Sequence, residues 1–141
     1  MKQENVILPR KLVMQLLTHA QFHPETPVGG VIGMQGEDPV RAWAVAGPEE
    51  STTRKRFEFD GASLDRALHD MDIAGEKIFA VYFSSPEPNV RPAAADLKRS
   101  GFSSTLHLLV SLGTRGVLEL AGWVLVDDEV LPVEIGIRES G

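Results

Sequence analysis

Apolar positions alternate between two rhythms along this chain, and the rhythm identifies each element. Leu12, Val13, Leu16, Leu17 and Ala20 recur at helical spacing and give one apolar stripe, predicting a helix over residues 9–22. Pro9 suits the first turn of that helix, and His23-Pro24 ends it. Pro24-Glu25-Thr26-Pro27 is a rigid connector. Residues 28–34 are apolar with Gly29, Gly30 and Gly33, which predicts a strand that another backbone approaches closely. A turn at 35–39 leads to a hairpin partner at 40–46. Residues 47–55 are polar, and Phe57 and Phe59 then alternate with charged neighbours as in a short edge strand.

A second helix opens at Asp60-Gly61-Ala62-Ser63, with Asp60 or Ser63 as its N-cap. Leu64, Ala67, Leu68 and Met71 form its stripe, and Gly75 stops it. Residues 77–83 are nearly all apolar, as in a strand buried on both faces. A short helix is predicted over 92–100, with Pro92 in its first turn and Gly101 just past its end. Strands at 104–112, 117–126 and 130–137 follow, joined by hairpin-length connectors. This order predicts a mixed α/β (α+β) fold, with a largely antiparallel central sheet flanked by helices.

Composition narrows the function classes. The 141 residues fit a single domain spanning 1–141. The net charge of −6, without a dense basic patch, argues against nucleic acid as a partner. The absence of cysteine excludes disulfides, thiol nucleophiles and thiolate zinc sites. No apolar run is long enough for a membrane span, and the polar start lacks a signal-peptide core, so a cytoplasmic protein is expected.

Chemistry concentrates at one stretch, Phe79-Ala80-Val81-Tyr82-Phe83-Ser84-Ser85-Pro86, where a strand runs into a proline-rich loop and then Ala93-Ala94-Ala95-Asp96. Loops at strand ends carry many reaction centres. Ser84 and Ser85 lack the sequence-local base and oxyanion hole a nucleophile needs. His19 and His23 have the i, i+4 spacing of a helical metal pair without a carboxylate to complete it. His69 falls on the solvated side of the second helix, and His107 reads as a hydrogen-bonded histidine in a buried strand. The glycines at 29, 30 and 33 are not followed by the Lys-Ser/Thr of a phosphate loop. Arg54, Lys55 and Arg56 read as a solvated turn.

The order of elements and several local words resemble the JAMM/MPN domain family (cytidine deaminase-like), in particular its small bacterial members, from about residue 8 to residue 137. In the active family a strand ends in His-x-His-Pro, and Ser-x-x-Asp follows. The two His and the Asp bind zinc, and a Glu on an earlier strand is the general base. Here Phe83 and Ser85 occupy the His positions, before Pro86; Ala93 stands at the Ser, Asp96 at the Asp and Pro27 at the Glu. Asp96 is thus the one retained ligand position.

The resemblance therefore implies an MPN fold around a degenerate metal site. No catalytic residue and no cofactor are expected. The resulting expectation is a non-catalytic binding or scaffold module whose partner is the tail of a ubiquitin-like or sulfur-carrier protein, with a homodimer also considered. Phe83, Ser84, Ser85, Pro86, Ala93 and Asp96 would line its binding surface. The alternative is a zinc metallopeptidase working through a shifted ligand set, with Glu25 as its base.

Overall fold

The computed structural model describes residues 5–22, 27–46, 59–85, 91–112 and 118–139. Eleven elements are described: β1 (Val6–Pro9), α1 (Arg10–Gln21), β2 (Gly29–Gln35), β3 (Asp38–Val45), α2 (Gly61–Ile73), β4 (Lys77–Ser85), α3 (Ala94–Arg99), β5 (Leu106–Leu112), β6 (Leu118–Val126), β7 (Glu129–Val133) and β8 (Ile135–Arg138). Six strands form one sheet in the order β3-β2-β4-β5-β6-β7. Every pairing in it is antiparallel except β4–β5, which are parallel and need the crossover that carries α3. The expected mixed α+β architecture with a largely antiparallel sheet is observed.

Period-two alternation divides the sheet into two buried faces. On one, α1 and β1 bring Leu8, Leu12, Val13, Leu16 and Ala20 onto Ile32, Ala80, Tyr82, Leu108 and Val110. On the other, Val31, Met71 and Val81 pack with Trp43, Phe59, Leu64, Leu68 and Phe102. Covering both faces is what makes β4 apolar almost throughout. Gly30 lies between the layers of this packing. A Cβ there would stand 2.3 Å from the Trp43 carbonyl oxygen and 2.7 Å from the Tyr82 ring, so glycine lets Tyr82 lie across β2.

Helix α2 shows why its ends fall where they do. Asp60 is the N-cap, and its carboxylate accepts from the Ser63 amide at 3.0 Å. At the far end Gly75 takes φ +78°, and the amides of Gly75 and Glu76 donate to the Asp72 and Met71 carbonyls. That is a Schellman cap, which glycine forms without Cβ strain.

The structure corrects several sequence expectations. Pro9 ends β1 and sits at the N-cap of α1 rather than inside its first turn. Pro92 precedes α3, which begins at Ala94. The strand expected over 130–137 breaks at Glu134, and its second half leaves the main sheet to pair in parallel with β1. Phe59 belongs to no strand; it packs edge-on to Phe102 with ring centroids 6.2 Å apart. Phe57, His23, Glu25, Pro86 and the 54–56 basic cluster lie outside the described residues. Among the described residues, no helix is long and apolar enough to cross a membrane.

Candidate functional site

β4 delivers Phe83, Ser84 and Ser85 to one end of the sheet, beside the start of β2. Period two sends Phe83 and Ser85 to the α2 and α3 side and Ser84 to the α1 side. Ser84 joins the two strands: its amide donates to the Val28 carbonyl at 2.8 Å, and its Oγ accepts the Val28 amide at 2.9 Å. Ser85 is buried and stands opposite Ser111, also buried.

Phe83 presents its ring edge-on to His107, with centroids 6.1 Å apart. His107 is fully buried on β5. Its Nδ1 is 2.8 Å from the Thr105 carbonyl, which only accepts, so the proton is on Nδ1. In the neutral ring Nε2 is then an acceptor, 2.8 Å from Ser100 Oγ. Ser100 Oγ is also 2.7 Å from the Leu97 carbonyl and accepts the Phe102 amide at 3.1 Å. Burial lowers the His107 pKa, and the Thr105 carbonyl opposes that in part. This network ties the end of α3 to β5. With three partners already on its oxygen, Ser100 is a structural hydroxyl rather than an activated nucleophile.

Asp96 is committed locally. Its carboxylate reaches back to accept the Ala93 amide at 2.9 Å, while its own amide donates to the Ala93 carbonyl. That is the acidic half of a capping box, whose other half is missing because alanine offers no oxygen. Ser85 and Asp96 each make further interactions. As a zinc site the positions do not fit. Phe83 has no lone pair, Ser85 offers a neutral hydroxyl, and Pro27 cannot act as a base, whereas a catalytic zinc takes three protein donors and a water. Among the described residues, no group of three or more His, Asp or Glu is placed to hold a metal ion. His19 has another role, its Nδ1 lying 2.9 Å from the Tyr82 hydroxyl. Tyr82 is buried, which pushes its pKa up and keeps it neutral.

A second cluster was not anticipated from sequence. Glu76 follows the α2 cap and is 3% exposed. Its Oε2 accepts Arg41 Nε at 2.7 Å, and its Oε1 accepts Trp43 Nε1 at 2.9 Å. Gly33 opens the space, since a Cβ there would stand 2.1 Å from Oε1. The Arg41 guanidinium also lies 5.0 Å above the Trp43 ring. Trp43 so held forms one wall of a groove of about 470 Å³ between β3 and α2, with Ala44, Ala46, Ser63, Arg66 and Asp70 among its lining. The sequence signal was present in a lone Glu between a helix-stopping glycine and an apolar strand, but nothing local indicates its partners.

The two edges of the sheet differ. On β7, Pro132 has no amide hydrogen and Arg91 donates to the Val130 carbonyl at 2.8 Å. Arg91 crosses the Trp123 ring to reach it, 5.0 Å from the ring centroid. On β3, the Ala42 amide donates to Gln15 Oε1 at 3.0 Å and the Ala46 carbonyl accepts the Asp60 amide. Ala44, two residues from each, faces the same outer side. Among the described residues nothing bonds its outward amide and carbonyl.

No family model matches the chain, and no curated protein matches it. Solved structures do. A solution structure of a protein from Desulfitobacterium hafniense superposes with a TM-score of 0.78 at 24% identity, covering 96% of this chain and 94% of that one. A solution structure of a protein from Salinibacter ruber gives 0.65 at 21%, covering 94% of this chain and 91% of that one. At such identities the likeness carries the fold alone.

Proposed function

We propose that this chain is an MPN-like domain that has lost the family's zinc hydrolysis and acts as a binding module for an extended protein tail, of the kind a ubiquitin-like or sulfur-carrier protein carries. The observation that supports it is how the site positions are used. Phe83 packs on His107, Ser84 joins β2 to β4, and Asp96 caps α3. Water left without a metal keeps a pKa far above neutrality and attacks poorly.

Tails of this kind bind by adding a strand to a sheet edge. β7 is obstructed by Pro132 and Arg91, so the tail pairs with β3 at Ala44, beside the Trp43 groove. That groove lies toward the Phe83 end of the sheet, because Gly29 pairs with both Val45 and Phe83.

Two measurements test the reading. Near-stoichiometric zinc in the purified protein, or a rise in melting temperature of several degrees on adding zinc, would overturn the loss of the metal site. The double change Phe83→His with Ser85→His restores the two His of the family's pattern and, with Asp96, is expected to create zinc affinity. For the tail, Ala44→Pro removes only an outward amide, so the β2–β3 ladder and the melting temperature hold. Affinity for a ubiquitin-like tail peptide is expected to fall by about tenfold, the equivalent of one good hydrogen bond. Unchanged affinity would remove β3 as the docking edge.

A further inference from the structure

The open stretch of the β3 edge is one residue long. Ala44 keeps its outward amide and carbonyl, while the Ala42 amide is taken by Gln15 Oε1 and the Ala46 carbonyl by the Asp60 amide. In antiparallel pairing, residues that exchange both main-chain bonds recur at every second position. A strand running past Ala44 would next need Ala42 on one side and Ala46 on the other. At each it would lose a bond and meet the group already seated there. The window therefore suits the end of a chain rather than its middle.

A cation stands at this window. Ala46 meets Asp60 at the start of α2, and Trp43 and Asp70 line the same groove, so α2 runs back along β3. From Ala46 to Ala44 the strand covers about 6.6 Å. From Ala62 to Arg66 the helix covers about 6 Å, which brings Arg66 level with Ala44. Arg66 is exposed, lines the groove and makes no ion pair among the described residues. The other side-chain donors of the lining are spent, Trp43 Nε1 on Glu76 and the Ser63 hydroxyl on Asp60. Asp70, one turn further along α2, repels an anion that reaches beyond Arg66. The favoured place for a carboxylate is therefore beside Ala44.

We infer that this edge captures the free C-terminal end of the tail, its last residue pairing with Ala44 and its terminal carboxylate held by the Arg66 guanidinium. This rests on the tail-binding reading and adds which form of the tail is bound: the free acid, not a tail joined through its C-terminus to another protein. A guanidinium meets a carboxylate with two parallel N–H···O bonds, and capture of a chain terminus is a recurring mode of peptide recognition. A tail in amide linkage offers no anion to Arg66, and whatever is joined to it must pass Gln15 or Asp60.

The test titrates a ubiquitin-like tail peptide into the full chain, by calorimetry, in three forms: with a free C-terminal carboxylate, with a C-terminal amide, and with further residues past its end closed by an amide. The free acid is expected to bind about tenfold or more tighter than either other form, the worth of a charge-assisted hydrogen bond. Arg66→Gln is expected to bring the acid down to the level of the amide and to leave the amide form unchanged. The position is exposed, and the melting temperature of the variant verifies that it is folded. Equal affinity for acid and amide overturns the inference and leaves tail binding standing. So does an Arg66→Gln variant that still prefers the acid. Failure of all three forms to bind overturns the tail reading, and the inference with it.

Discussion

His107 is where a single proton bears on stability. Its folded pKa lies below the ordinary 6.5, mainly through burial. Between the two values the unfolded chain binds the proton and the folded chain does not, so unfolding gains from acid. The contribution of the neutral ring is complete above pH 6.5 and is lost as pH falls from there toward the folded pKa. Denaturant midpoints measured across that window are expected to decline with acid, and His107→Gln to flatten the decline. Glu76 carries a different risk. Glu76→Ala strips Arg41 and the Trp43 indole of a buried acceptor, and a loss of roughly 3 kcal/mol is expected from urea unfolding. Which of these residues could be read from sequence follows from how local their partners are. Asp96 is legible, because a helix-start acid has its partner three residues away. The position of His107 on a buried strand is legible too. The Glu76 cluster is not, since Arg41 and Trp43 reach it across β2 and their sequence separation carries no pattern.

At the level of elements, glycine sets the spacing between layers. Gly30→Ala drives a methyl group into the Trp43 carbonyl and the Tyr82 ring, and neither can yield without moving β3 or α1. Overpacking of this kind costs about 1–3 kcal/mol, and thermal melting would record it as a lower midpoint. Helices α1 and α2 were legible because their apolar positions repeat with period 3.6 over enough residues for the pattern to emerge, and the main-sheet strands because they are apolar runs bounded by turn residues. β1 was not. Its four residues end on Pro9, and its partner lies more than a hundred residues away in the chain. The break at Glu134 was hidden for a similar reason: residues on both sides are apolar, and only the competition between β6 and β1 for partners separates them.

For the molecule as a whole, β1 and β8 form a clasp. Val6 pairs with Ile135 and Pro9 with Arg138, while Arg10 meets Glu139 at 2.9 Å. The Arg10–Glu139 pair is exposed and contributes at most about 1 kcal/mol. Leu8, fully buried beneath the clasp, is the position that matters. Leu8→Ala is expected to destabilise by about 2–5 kcal/mol, with a correspondingly lower urea midpoint.

The clasp also orders events in time. The Arg10–Glu139 contact joins residues separated by 129 positions, so the first strand of the chain has no partner until the last one exists. During synthesis the apolar stripe of α1 can find the sheet beforehand, but β1 waits until residues 135–138 have been made. Its pairing closes the longest loop among the described residues, and such contacts form late and slowly. The strand that comes first in the sequence is thus placed to be the last to fold and the first to fray.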